Sequence, residues 1–111
     1  MKRLLILVVV LVVVLATVPS GGAAKGDAAA GKTVYTAKCA SCHGKNGEGN
    51  KNLEKALKVP IRDLGSKEVQ AKSDEQLAKE SSEGVGKMRP VKGLSEQDVA
   101  NVVAFIRSLK K

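Results

Sequence analysis

Cys39-Ala40-Ser41-Cys42-His43 is the stretch from which the rest of this chain is read. It holds the only two cysteines and the only histidine in 111 residues. C-x-x-C-H is the haem-attachment pattern. Two residues between the cysteines bring both sulfurs to one side of a helix end, where each can form a thioether with a haem vinyl group. The residue after them then faces the ring and supplies an axial nitrogen to iron. Other readings of these residues explain less. A zinc site wants four protein ligands, or three with a catalytic water, and no second Cys/His pair exists. A thioredoxin-type redox pair expects a βαβ context, which is absent. A plain disulfide between Cys39 and Cys42 leaves His43 without a role.

Upstream, Asp27 predicts the cap of a helix from Ala28 to about Lys38, with Val34 and Tyr35 on its apolar side and Gly31 one turn before Tyr35. Before that lies a leader. Residues 1–24 open with Lys2 and Arg3, run apolar from Leu4 to Val18 with only Thr17 interrupting, and end in Pro19-Ser20-Gly21-Gly22-Ala23-Ala24. This is the pattern of a secretory signal peptide, with Gly22-x-Ala24 preceding the candidate cleavage point at Lys25. Fifteen residues are short for a span of about 20, so cleavage is favoured over an uncleaved anchor. The expected product, residues 25–111, is one domain located in the periplasm.

Downstream, Gly44 to Asn50 reads as loop, and Leu53, Ala56 and Leu57 as a short helical turn that Pro60 ends. Ser66 caps another short turn. Ser73-Asp74-Glu75-Gln76 opens a polar helix to about Ser82. Ser95-Glu96-Gln97-Asp98 opens the best helix of the chain, striped by Val99, Val102, Val103, Phe105, Ile106 and Leu109. No alternating strand run is present, so the expected fold is all-α.

The composition asks for a cofactor. Residues 25–111 hold 17 Leu, Ile, Val and Phe in 87, just under the level of about 20% at which charged chains are often disordered. A large flat apolar group gives so few side chains something to pack around. The same residues carry 17 basic and 11 acidic groups, a net charge of +6 with His43 neutral. That surplus fits steering toward acidic protein partners. Nucleic acid is excluded as a class, because one Tyr, one Phe and no Trp provide no stacking platform.

With no second histidine, a sixth iron ligand must be Met, Lys or an N-terminal amine. Met88 is the only methionine beyond Met1. It sits between Gly84, Gly86 and Pro90, a loop in which a side chain can be aimed at a cofactor. A soft neutral thioether favours Fe(II) and raises the reduction potential.

Taken with these motifs, residues 27–110 resemble a small class I c-type cytochrome of the bacterial monohaem electron-carrier group. The likeness is carried by Gly31-x-x-x-Tyr35, Cys39-x-x-Cys42-His43-Gly44, Gly47-x-Gly49, Pro60 with Asp63-Leu64, Gly86-Lys87-Met88-Arg89-Pro90, and Val102 to Arg107. The resemblance implies three to five helices around one covalent haem c, bound by Cys39, Cys42, His43 and Met88, with His43 and Met88 as the iron ligands. It implies that Gly31 and Tyr35 pack against Val102 and Phe105, and that the Pro60 carbonyl accepts a hydrogen bond from His43 Nδ1. Two departures stand out. Glu80 and Ser81 occupy positions where similar proteins carry branched apolar residues, predicting poor packing before the Met88 loop. No Trp is present near a propionate, which leaves Arg62, Arg89 and Lys92 as candidate cations there.

The expected activity is one-electron transfer with no substrate bound or changed, by a monomer that is not an enzyme. Docking is expected near Lys38, Lys45, Lys87, Arg89 and Lys92. A gas sensor with a displaceable Met88 is the alternative. A peroxidase-like enzyme would need an acid-base residue beside an open iron face, and the sole histidine is already used.

Overall fold

The computed structural model describes residues 25–111; the leader and its cleavage point lie outside them. Six helical segments follow in order: α1 Ala28–Lys38, α2 Ala40–His43, α3 Lys51–Leu57, α4 Lys67–Gln70, α5 Asp74–Glu83 and α6 Glu96–Ser108. The count exceeds the expected three to five because α2 and α4 are single turns of 4 residues each. Among the described residues the only strand-like feature is a bridge between Val85 and Met88. No described helix is long and apolar enough to cross a membrane.

Side-chain caps start most of these segments. Asp27 accepts from the N–H groups of Ala29 and Ala30, Ser66 from Val69, and Ser73 from Gln76. Ser95 and Asp98 form both halves of a capping box at α6. Asn50 caps α3 through Asn52 and Leu53. That helix stops at Leu57, before Pro60, because Lys58 turns left-handed at φ 54.

The centre of the fold is the crossing of α1 and α6. Gly31 is buried there, and a Cβ built on it would lie 1.9 Å from the Asn101 carbonyl oxygen. Only a residue without a side chain lets the two backbones meet. Beside it Tyr35 and Phe105 stack at 4.8 Å between ring centroids, tilted by 48°. Tyr35 and Val102 are each 1% exposed, so the packing implied by the resemblance is present.

Two apolar clusters grow from this crossing. Tyr35, Cys39 and Phe105 form one; Val69, Leu77, Val102, Val103 and Ile106 form the other, and Leu64 packs against both. Polar side chains fasten the edges. Asn101, 8% exposed, accepts from the Asp27 N–H at 2.8 Å and from Gln97 at 2.9 Å. Gln70 donates to the carbonyls of Leu64 and Ile106 at 2.8 and 2.9 Å. Arg107 donates to the carbonyls of Gln70 and Lys72 and to Asp74.

Helix α5 contributes one buried residue, Leu77. Glu80 is not loose in it, contrary to the expectation of poor packing. Its carboxylate pairs with Lys72 at 2.8 Å and accepts from Gln76. The helix is fastened there by charge.

Candidate functional site

The C-x-x-C-H stretch begins where α1 breaks. Cys39 follows Lys38 and serves as N-cap of α2, its N–H still bonded to the Tyr35 carbonyl at 2.8 Å. One turn later the N–H of His43 bonds the Cys39 carbonyl at 3.0 Å, and Gly44 bonds Ala40 at 2.8 Å. The Gly49 N–H then returns to the His43 carbonyl at 2.7 Å. Cys39 is buried and Cys42 exposed. Burial, and then the neighbouring Cys42, push the Cys39 thiol up.

Tyr35 anchors this turn from below. Its hydroxyl donates to the Gly44 carbonyl at 2.6 Å, tying the residue after the motif to the helix before it. Burial first, and the charge of Cys39 next, raise its pKa to about 12. Sequence reasoning assigned Tyr35 to packing alone. The signal was available, since a buried tyrosine hydroxyl needs a partner.

His43 is half-buried, and its Nδ1 is buried with no hydrogen-bond partner. Burial pushes the imidazole below the ordinary histidine range, so it stands neutral, the form with a lone pair to give a metal. The Pro60 carbonyl does not accept from Nδ1 here. Pro60 is exposed and belongs to a turn bound to α3, in which Glu54 accepts from the Ile61 N–H at 2.7 Å. That bond, followed by the contact with Lys51, holds the Glu54 carboxyl below its usual range.

Met88 is half-buried on a tight turn. The N–H of Val85 bonds the Met88 carbonyl at 3.1 Å and that of Met88 bonds the Val85 carbonyl at 2.9 Å, around Gly86 and Lys87. Gly86 has φ 57, which the first central position of such a turn requires. The candidate propionate cations differ in their pairing. Arg62 is paired with Glu68, whereas Arg89 and Lys92 are exposed.

Two thiols and a neutral imidazole on one turn, with a thioether on a separate loop, form a donor set suited to a covalently held iron porphyrin. The family model for cytochrome c matches residues 28–110. The chain belongs to the cytochrome c family. It is similar to cytochrome c-554(547) of Halothiobacillus neapolitanus, 42% identical over 91 residues that cover 77% of this chain and 99% of that one. Cytochrome c6 of Rippkaea orientalis is 49% identical over 59 residues, covering 53% and 50% of the two chains. Among solved structures, the KustC0563 c-type cytochrome superposes with a TM-score of 0.64 at 32% identity, covering 73% of this chain and 98% of that one. The likeness fits a small class I cytochrome with the all-α fold expected from the sequence. This cytochrome is a haem c electron carrier, and Cys39 and Cys42 match the motif that attaches the group covalently.

Proposed function

We propose that this cytochrome is an exported, soluble, monomeric one-electron shuttle with His43 and Met88 as axial ligands and no catalytic site of its own. The observation that carries the ligand assignment is the half-buried His43 beside Cys42, with backbone bonds on both sides of its turn and Nδ1 buried without a partner. Haem c supplies a one-electron Fe(III)/Fe(II) couple when bound. Cys39 and Cys42 would hold it through two thioethers, so that it is not lost between partners. His43 would give Nε2 to the iron, leaving Nδ1 as the donor facing the protein. The Met88 thioether would be the second protein ligand to the iron and would favour the reduced state.

Residues 1–24 would serve as a cleaved signal peptide and residues 25–111 as the carrier domain, working in the periplasm. Acidic redox proteins are the proposed partners, met through the exposed cations Lys38, Lys45, Arg89 and Lys92 near the ligand motifs. Lys87 is exposed as well, but its ammonium is engaged with a backbone carbonyl.

Visible absorption of the exported protein tests the reading. Sharp low-spin bands on reduction are expected, with a weak far-red band in the ferric protein that disappears in Met88→Ala. High-spin bands, or a wild type without the far-red band, would remove Met88 from the iron and favour a gas-binding role.

A further inference from the structure

The loop that carries Met88 is fastened at two places of different character. At its base the Val91 N–H bonds the Ser82 carbonyl at 3.0 Å, and the Gly84 N–H bonds the Glu80 carbonyl at 3.0 Å. These bonds continue α5 and fix where the loop leaves and returns. At its tip one contact reaches across the molecule: Lys87 Nζ donates to the Leu57 carbonyl at 2.7 Å, between residues 30 apart in sequence. Leu57 is the last residue of α3. Its carbonyl belongs to the end of a helix, where no intrahelical N–H is available and the partial charge is negative. An ammonium is the group that such an end attracts.

The turn is so short that whatever holds Lys87 also holds Met88. Val85 and Met88 bond each other on both sides of Gly86 and Lys87, so the four residues move as one rigid bracket. With its base hinged at Ser82 and Gly84, the bracket needs a second fixed point to define the position of the thioether. An exposed lysine ordinarily keeps its rotamer freedom in water. Here the lysine that precedes the candidate iron ligand is held against the Leu57 carbonyl.

We propose that Lys87 is a positioning residue, whose bond to the C-terminal carbonyl of α3 closes the Met88 loop and sets how readily Met88 leaves the iron. The proposal rests on the Met88 ligation argued above. It also gives Lys87 a different task from the neighbouring cations. Lys87 acts within the molecule, and Arg89 and Lys92 remain for partners.

The test uses the exported, haem-loaded ferric protein with imidazole as the probe, because an added ligand reaches iron only when Met88 has left. Wild type, Lys87→Leu and Lys87→Arg are compared by stopped flow, with the denaturation midpoint measured alongside. Lys87→Leu keeps an apolar stem and removes the donor. It is expected to raise the observed imidazole binding rate about tenfold, the scale of one lost charge-assisted bond. Lys87→Arg, still a cationic donor, is expected to stay within about twofold of wild type. Lys87→Gln substitutes if the leucine variant does not fold.

Equal rates in wild type and Lys87→Leu, with the far-red band intact in both, overturn the proposal while leaving Met88 ligation standing. So does a lowered midpoint without a faster rate, which marks a bond that only stabilises. A wild type without the far-red band overturns the ligation reading, and the role of Lys87 falls with it for that separate reason.

Discussion

The crossing of α1 and α6 and the loop that carries Met88 are built on opposite principles. At the crossing, Gly31 brings backbones into contact, Tyr35 and Val102 are 1% exposed, and side chains of both helices interlock around Phe105. Each buried side chain contributes about 1.5–3 kcal/mol. On the Met88 side, Val85 is 55% exposed, Leu57 is 37% exposed, and order comes from single hydrogen bonds to backbone carbonyls. The difference teaches that this polypeptide packs one half of its structure with its own side chains. The other half is shaped around a group that the polypeptide does not supply.

The largest expected effect breaks the comparison outright. Cys39→Ala combined with Cys42→Ala removes covalent haem and is expected to leave a largely unfolded chain by circular dichroism. A cooperatively folded haem-free product would mean that the crossing suffices alone. Next is Gly31→Val, whose Cβ would meet the Asn101 carbonyl at 1.9 Å. It is expected to cost about 3 kcal/mol in guanidinium unfolding.

Tyr35→Phe comes third and sharpens the link between the two halves. It leaves the ring stack intact and removes one of two bonds to the Gly44 carbonyl, which keeps the Gly47 N–H at 3.3 Å, at a cost of about 1 kcal/mol. The same variant has a pH signature. The folded Tyr35 keeps its proton to about 12, above the free value of about 10. Its contribution is therefore complete below pH of about 10 and is lost as pH rises toward about 12. Unfolding measured across that window should steepen for wild type relative to Tyr35→Phe. The smallest effect concerns the outer surface. Arg89→Gln with Lys92→Gln is expected to slow association with an acidic redox partner a few-fold at low salt, and to change little at high salt. Equal rates at all salt concentrations would make these cations merely solubilising.

What the sequence made legible follows the same division. Helices with a capping side chain and an apolar stripe were readable: Asp27 opens α1, Ser73 opens α5, and Ser95 with Asp98 opens α6. The attachment motif was readable because it is local, with all its chemistry within one turn. Contacts between a side chain and a distant carbonyl were not. Tyr35 with Gly44, Gln70 with Ile106 and Lys87 with Leu57 leave no periodic trace, because the acceptor is a backbone oxygen common to every residue. Asn101 was hidden for a related reason. It is a buried amide within an apolar stripe, and its partner is the backbone N–H of Asp27. The Pro60 contact was inferred from likeness, and the bond of Glu54 to Ile61 instead ties the residue after Pro60 to α3.

The crossing also fixes the order of events in making the molecule. Asp27 and Asn101, hydrogen-bonded to each other, stand 74 residues apart, and nearly the whole domain lies between them. A chain still lacking α6 cannot form its principal core, however long it waits. Closing so long a loop before any packing is gained makes folding late and steep rather than gradual. Until α6 docks, Cys39 lacks the Phe105 ring that covers it in the finished fold. The same topology is a quality check: a product truncated before α6 lacks its core and is left to proteases.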